Sequence, residues 1–342
     1  MSRLEALTKL LLCAVGGLAA TTAPGFTYAQ TSAVDQCLEK LVAQATDDQT
    51  MGELRAQCET GETEKDIVTR IENRSPAERR FASEVGLLVD RLGFMPHRPN
   101  LMLPLTYGEG FLKPDPSSKP YEIQFQVSLK LPFTPSKHSE NPRQPILFFA
   151  YTGSAWWQAY NSRRSRPFRE YNHAPEVFLS IPTRRQALGW NLQSFQFGFE
   201  HHSNGRDSGS SRSWNKLFTQ FELDRASNHW LTLRSWWRIP EDAKVDPADP
   251  EGDDNPDITR FLGHNELRFG YSSSGLNWNM MLRRSLRSSG KGAAELSLSY
   301  PTGFNPKTRW TLRLFDGYGE SLIDYNRRSK RIAFGLMLND WY

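Results

Sequence analysis

The sequence predicts an all-β fold, an antiparallel transmembrane β-barrel of about twelve strands with a short helical N-terminal extension, and three observations support this. From about Leu101 onward, short segments alternate apolar and polar side chains and are separated by Pro, Gly, Asn, Asp and Ser, the texture of antiparallel strands joined by turns. Beyond the N-terminal segment no run approaches the roughly 18 uninterrupted apolar residues of a membrane helix, and the mean hydropathy is polar. A barrel gives such an average because lipid-facing and lumen-facing residues alternate along each strand. Aromatic residues make up 12% of the chain, including ten tryptophans, which suits interfacial girdles. Soluble β-sandwiches also alternate, and the pattern alone leaves them open.

The elements follow in order. Arg3 and Lys9 precede the apolar run Leu10 to Ala20, and Thr27-Tyr28-Ala29 offers a cleavage site, so residues 1–29 read as a secretory signal peptide. Residues 30–95 are charged and helix-favouring, with Leu38, Leu41, Met51, Leu54, Ile67, Val68 and Ile71 at mixed helical spacings, and read as a periplasmic extension. Within it Cys37 and Cys58 form an even pair in an exported chain, favouring one disulfide worth roughly 3 kcal/mol over two buried thiols. Residues 96–342 form the barrel domain.

Its candidate strands are Leu101 to Tyr107, Tyr121 to Phe133, Pro145 to Trp157, Pro175 to Pro182, Trp190 to Ser203, Ser213 to Asp224 and His229 to Ile239. They continue with Thr259 to Tyr271, Leu276 to Leu286, Gly292 to Tyr300, Thr308 to Asp316 and Lys330 to Tyr342. In the last, Ile332, Phe334, Leu336, Leu338 and Tyr342 form the lipid face, opposite Arg331, Ala333 and Gly335. The near balance of 42 basic and 38 acidic residues argues against nucleic acid as the partner. Trp156, Trp157, Trp236 and Trp237 read as girdle or barrel packing, His264 as an interior strand residue, and Asp253 to Asp257 as a solvated loop.

The segment His201 to Asn215 carries chemistry. Phe195, Phe197 and Phe199 put the odd positions on an apolar face, and His201 and Ser203 continue it while His202 points to the lumen. Serine needs a neighbouring base, and histidine suits that role. A hairpin returning through Gly209 brings Asn215 beside His201, where its amide can orient the ring. Gly205 offers an unobstructed backbone N–H to an oxyanion. The bland reading is a polar strand end and its loop.

This segment, ending Ser-Arg-Ser-Trp-Asn at 211 to 215, resembles the active-site hairpin of the outer-membrane phospholipase A family. Further matches are Ser154-Ala155-Trp156-Trp157-Gln158, Ser165-Arg166-Pro167-Phe168-Arg169-Glu170, Asp253-Asp254-Asn255-Pro256-Asp257-Ile258-Thr259, Gly292-Ala293-Ala294-Glu295-Leu296 and Gly317-Tyr318-Gly319-Glu320-Ser321-Leu322-Ile323-Asp324-Tyr325-Asn326.

The resemblance implies a calcium-dependent serine hydrolase in the Gram-negative outer membrane. It would cleave acyl esters of phospholipids and lysophospholipids, with A1/A2 activity, and be activated by homodimerisation. It gives His201 as base, Ser203 as nucleophile and Asn215 as orienting residue. For Ca2+ it implies the Arg206 carbonyl and Ser211 hydroxyl of one subunit and Ser165 of the other. Asp254 aligns with a further calcium ligand, whereas Ser208 stands where the family has a second aspartate. Gly153 stands where family members can have a glutamine at the dimer contact. A passive channel that merely retains the hairpin is the competing expectation.

Overall fold

The computed structural model describes residues 93–339, together with 27–28, apart from 112, 114–116, 134–143, 164–165, 208, 226–227, 247–248, 250, 286–289 and 306–307. The helical extension, Cys37, Cys58, Ser165, Ser208 and Tyr342 therefore lie outside the described residues.

Twelve antiparallel strands close into a barrel. They are β1 (Asn100–Glu109), β2 (Tyr121–Pro132), β3 (Ile146–Trp157), β4 (Phe168–Ala187), β5 (Trp190–Ser203) and β6 (Ser213–Arg225). The second half comprises β7 (His229–Ile239), β8 (Asn265–Ser273), β9 (Leu276–Arg284), β10 (Gly292–Pro301), β11 (Arg309–Tyr318) and β12 (Arg328–Asn339). Each strand pairs with its neighbour in sequence, and β12 returns to β1 from Lys330↔Glu109 to Asn339↔Asn100. Among the described residues, closure of these twelve strands leaves no unpaired edge, which is what a strand protein needs in a medium without water.

The period of two decides the faces. In β12, Ile332, Phe334 and Leu338 are exposed outward while Arg331, Ala333 and Met337 are buried inside, as the alternation predicts. The tryptophan pairs divide the same way: Trp156 and Trp236 pack inside, whereas Trp157 stacks on Phe168 and Trp237 is exposed. Leu105, Val127, Leu217, Leu233 and Leu282 extend the outer apolar band. Two of the connections at one rim are two-residue turns, with positive φ at Leu188 and Gly189 and at Ser274 and Gly275, the backbone signature of tight hairpins. The opposite rim carries the 158–167, 204–212, 240–264 and 319–327 connections between strands.

The interior is filled by ion pairs rather than left as a pore. Arg234 bridges Glu176 at 2.8 Å and Glu200 at 2.6 Å, and Lys216 meets Glu200 at 2.7 Å. Nearer the long-loop rim, Glu122 holds Arg169 at 2.7 Å and Arg331 at 3.0 Å, while Arg169 also reaches Asp324 at 2.5 Å. The chain entering β1 joins this packing, with Met95 and His97 buried and Arg98 paired to Glu176. Charges buried this deeply persist only when mutually compensated. A polar cavity of about 180 Å³ remains among them.

Three expectations need correction. Strand β4 begins at Phe168, well before Pro175, because its first residues turn Arg169, Glu170 and Asn172 inward to polar partners. The stretch after Asp257 opens as a helix, α1 (Ile258–Leu262), whose Ile258 and Leu262 are buried, and β8 starts only at Asn265, which leaves His264 outside any strand. Asp253 to Asp257 is no freely solvated loop: Asn255 is fully buried, Asp253 pairs with Arg238 at 2.5 Å, and Asp257 accepts a 2.6 Å hydrogen bond from Tyr325.

Candidate active site

Strand β5 delivers its functional side chains to the outer wall at the long-loop rim. Phe199 faces outward, buried Glu200 faces the lumen, and the alternation carries His201 and Ser203 onto the phenylalanine side. His202 turns inward beside Trp214 Nε1, 3.4 Å away. Register does the rest: β6 sets Asn215 opposite His201 and Ser213 opposite Ser203, while β4 sets His173 on the other side of Ser203. Asn215 Oδ1 lies 2.8 Å from His201 Nδ1. An amide oxygen can only accept, so this contact places a proton on Nδ1, and in a neutral ring that leaves the Nε2 lone pair free. A direct Ser203 to His201 hydrogen bond is not among those formed by the described residues; such bonds commonly tighten only when substrate arrives.

The connecting hairpin is tied by its own hydrogen bonds. Asn204 N donates to Arg212 O at 3.0 Å, Arg212 N to Asn204 Oδ1 at 2.9 Å, and Ser211 N to Asp207 O at 2.8 Å. Buried Glu170 underpins it, accepting from Asn204 Nδ2 at 3.1 Å, Arg206 Nε at 2.9 Å and the Ile323 amide at 3.2 Å. Gly205 has φ +58, and a Cβ there would approach only His173 Cδ2, at 3.9 Å. The left-handed backbone, more than crowding, therefore calls for glycine.

The metal expectations divide. The donors at Arg206 O and Ser211 Oγ are neutral hard oxygens, the chemistry that suits calcium. Among the described residues no group of three or more His, Cys, Asp or Glu side chains is placed to hold a metal ion. Asp254 is close by, with Oδ2 accepting from Ser211 Oγ at 2.5 Å, but its Oδ1 is taken by Lys244 Nζ at 2.6 Å. Burial raises the Asp254 carboxyl, and the contacts with Lys244 and Ser211 outweigh that and hold it below the usual aspartate range. The carboxylate at this position is thus already matched by an ammonium.

Sequence reading missed several neighbours of these groups. Glu241 Oε1 accepts from Asn215 Nδ2 at 3.0 Å, and Asn204 and Glu170 lock the hairpin from below. On the outer wall beside Gly153, Tyr151 Oη and His173 Nδ1 are hydrogen-bonded at 2.6 Å, and a Cβ at Gly153 would meet that hydroxyl at 3.1 Å. Glu170 lies in a stretch whose resemblance was noted; nothing in the sequence marks Glu241.

A closed twelve-strand barrel with an apolar outer band defines the class as an outer-membrane barrel, and its relatives make that barrel a lipid-ester hydrolase. The family profile of Phospholipase A1 matches residues 77–338, and the chain belongs to that family. The chain is 38% identical over 230 residues to phospholipase A1 of Klebsiella pneumoniae, spanning 65% of this chain and 71% of that protein. The Escherichia coli K12 enzyme gives 38% over 229 residues, 65% of this chain and 71% of the relative.

Among solved structures, outer membrane phospholipase A from Escherichia coli superposes with TM-score 0.63 at 32% identity, covering 73% of this chain and 99% of that one. The calcium-bound dimer of the Salmonella typhi outer membrane phospholipase gives 0.64 at 31%, covering 74% and 94%. The fold and these relatives together indicate the Gram-negative outer membrane.

Proposed function

We propose that this barrel is a calcium-dependent phospholipase that cleaves acyl esters of phospholipids and lysophospholipids through Ser203, His201 and Asn215. The observation that carries this reading is the 2.8 Å contact between His201 and Asn215 on the lipid-facing wall, with Ser203 two residues on along the same face.

His201 Nε2 takes the Ser203 proton as Oγ attacks the acyl carbon. Asn215 holds Nδ1–H in place as the imidazolium forms, and the Gly205 amide donates to the developing oxyanion, a contact worth about 2.7–4 kcal/mol. His201 returns its proton to the departing glycerol oxygen. It then activates water, which attacks the acyl-enzyme and releases the fatty acid.

Arg206 O and Ser211 Oγ of one copy, with Ser165 of a second copy, would hold Ca2+. Bound by these groups, calcium would supply the positive charge for the developing oxyanion that a neutral Asn215 does not. The homodimer this requires has a solved counterpart in the calcium-bound Salmonella typhi dimer. Control by association also protects the host membrane, because the metal site is incomplete until two copies meet. Residues 1–29 would be removed on export, and the 30–95 extension would remain periplasmic.

Fatty-acid release from phospholipid micelles is measured with calcium, with chelator, and for Ser203→Ala. Release should need calcium and vanish in the variant; undiminished release by Ser203→Ala removes it as nucleophile.

A further inference from the structure

Asn215 has two faces, and both are engaged. Its Oδ1 meets His201 Nδ1 at 2.8 Å, and its Nδ2 donates to Glu241 Oε1 at 3.0 Å. An asparagine amide turned by 180° about its last bond has nearly the same shape, so packing alone specifies its direction weakly. If it flipped, Nδ2 would point at His201. The ring would then keep its proton on Nε2, the wrong nitrogen for accepting one from Ser203. The direction of this amide therefore decides whether His201 can act as a base.

Glu241 supplies what decides it. A carboxylate accepts hydrogen bonds and donates none, so a flipped Asn215 would set its amide oxygen against a negative oxygen. Position is equally well defined. Ile239 is the cross-strand partner of Asn215, and Glu241 lies two residues beyond it, on the same side of the chain. Pro240, between them, has no N–H with which to extend the ladder. The connection is then closed by Asp253 N donating to Asp242 O at 2.8 Å and by Arg238 Nη2 meeting Asp253 Oδ1 at 2.5 Å. Burial, with Asp253 and Asp254, raises the Glu241 carboxyl above its ordinary value, while Arg238 and the Asn215 hydrogen bond oppose that and favour the carboxylate.

The geometry points to Glu241 as a positioning residue for the proposed hydrolysis: it fixes the direction of the Asn215 amide and, through it, the tautomer of His201. This rests on the reading of Ser203, His201 and Asn215 as the hydrolytic set. Glu241 touches neither the ester nor the reacting serine, so its contribution passes wholly through Asn215.

The experiment compares kcat and KM on phospholipid micelles at saturating calcium for wild type, Glu241→Ala and Glu241→Gln. It repeats Glu241→Ala in an Asn215→Ala background and includes Ser203→Ala as the control. Glu241→Ala should lower kcat about fivefold to tenfold, the factor one oriented hydrogen bond supplies, with KM within about twofold. Glu241→Gln should fall between it and wild type, since a glutamine can accept from Asn215 but no longer must. In the Asn215→Ala background the same change should be silent.

Equal losses in both backgrounds, a loss confined to KM, or no loss at all overturns the inference while wild type and Ser203→Ala still behave as a serine hydrolase should. Wild type without hydrolysis, or an active Ser203→Ala, instead overturns the function on which it rests. Should Glu241→Ala fail to fold, judged by heat-modified gel mobility, the conservative Glu241→Gln in both backgrounds carries the same comparison.

Discussion

Replacing Asn215 with alanine separates orientation from chemistry. The substitution deletes the 2.8 Å contact to His201 Nδ1 and leaves Ser203, the Gly205 amide and the hairpin hydrogen bonds untouched. As His201 accepts the serine proton that contact becomes charge-assisted, worth about 1.5–3 kcal/mol. At about 1.4 kcal/mol per decade, kcat should fall roughly 10- to 150-fold. KM should change little, because the amide points along the wall at the ring and not at lipid.

Ser203→Ala loses the bond-forming atom itself and should fall far below this. Initial rates of fatty-acid release by pH-stat on phospholipid micelles, at saturating calcium, give both constants. A second readout is the labelling rate of Ser203 by an alkylsulfonyl fluoride, which should slow in parallel because it needs the same base. If Asn215→Ala were as inactive as Ser203→Ala, the amide would be doing more than orienting the ring; if it matched wild type, His201 would need no partner. Either result refutes the argument.

Further outcomes follow from other contacts. Lys244→Met removes the ammonium 2.6 Å from Asp254 Oδ1, so calcium should bind the detergent-solubilised barrel several-fold more tightly by calorimetry; unchanged or weaker binding would mean Asp254 is not near the metal. Because Lys244 and Ser211 hold Asp254 below its ordinary value, its contribution is complete above about pH 4, near the unfolded aspartate pKa. That contribution is lost as pH falls through the lowered folded value. Hydrogen-exchange protection around 241–257 should thus persist at pH 5 and fall only in stronger acid. Arg169→Met deprives Glu122 and Asp324 of their 2.7 Å and 2.5 Å partner. Breaking such a buried set costs about 3–5 kcal/mol, and because Arg331 still holds Glu122, the lower end is expected, read as a reduced urea midpoint of unfolding in lipid.

How much was legible can be seen strand by strand. β5 and β7 begin and end where the pattern placed them, at Trp190 and Ser203 and at His229 and Ile239, because apolar residues recur at alternate positions over most of each run, Phe195 to Phe199 and Leu231 to Leu233 among them. β4 hid its beginning, since Arg169, Glu170 and Asn172 look like loop until the lumen supplies their partners. Helix α1 was masked by apolar residues at 258, 261 and 262 that fit either period over so short a run. Among site residues, His201, Ser203 and Asn215 could be grouped because two lie on one strand and the third returns through a short hairpin. Glu241 could not, lying 26 residues beyond Asn215 in sequence and reaching it only through the β6–β7 register.

The amino-acid order by itself determined the alternation, and with it the outward face of β12 and of the Phe195 to Ser203 stretch of β5, because side-chain direction along a strand has a period of two and needs no tertiary contact to define it. It also determined that a histidine and a serine share the outer face. Only the closed sheet decided which groups complete them, because hydrogen-bond partners are chosen by register between strands. The amide of Asn215, the carboxylate of Glu241 and the ammonium on Asp254 acquire their roles from pairings across the wall and between loops on one rim.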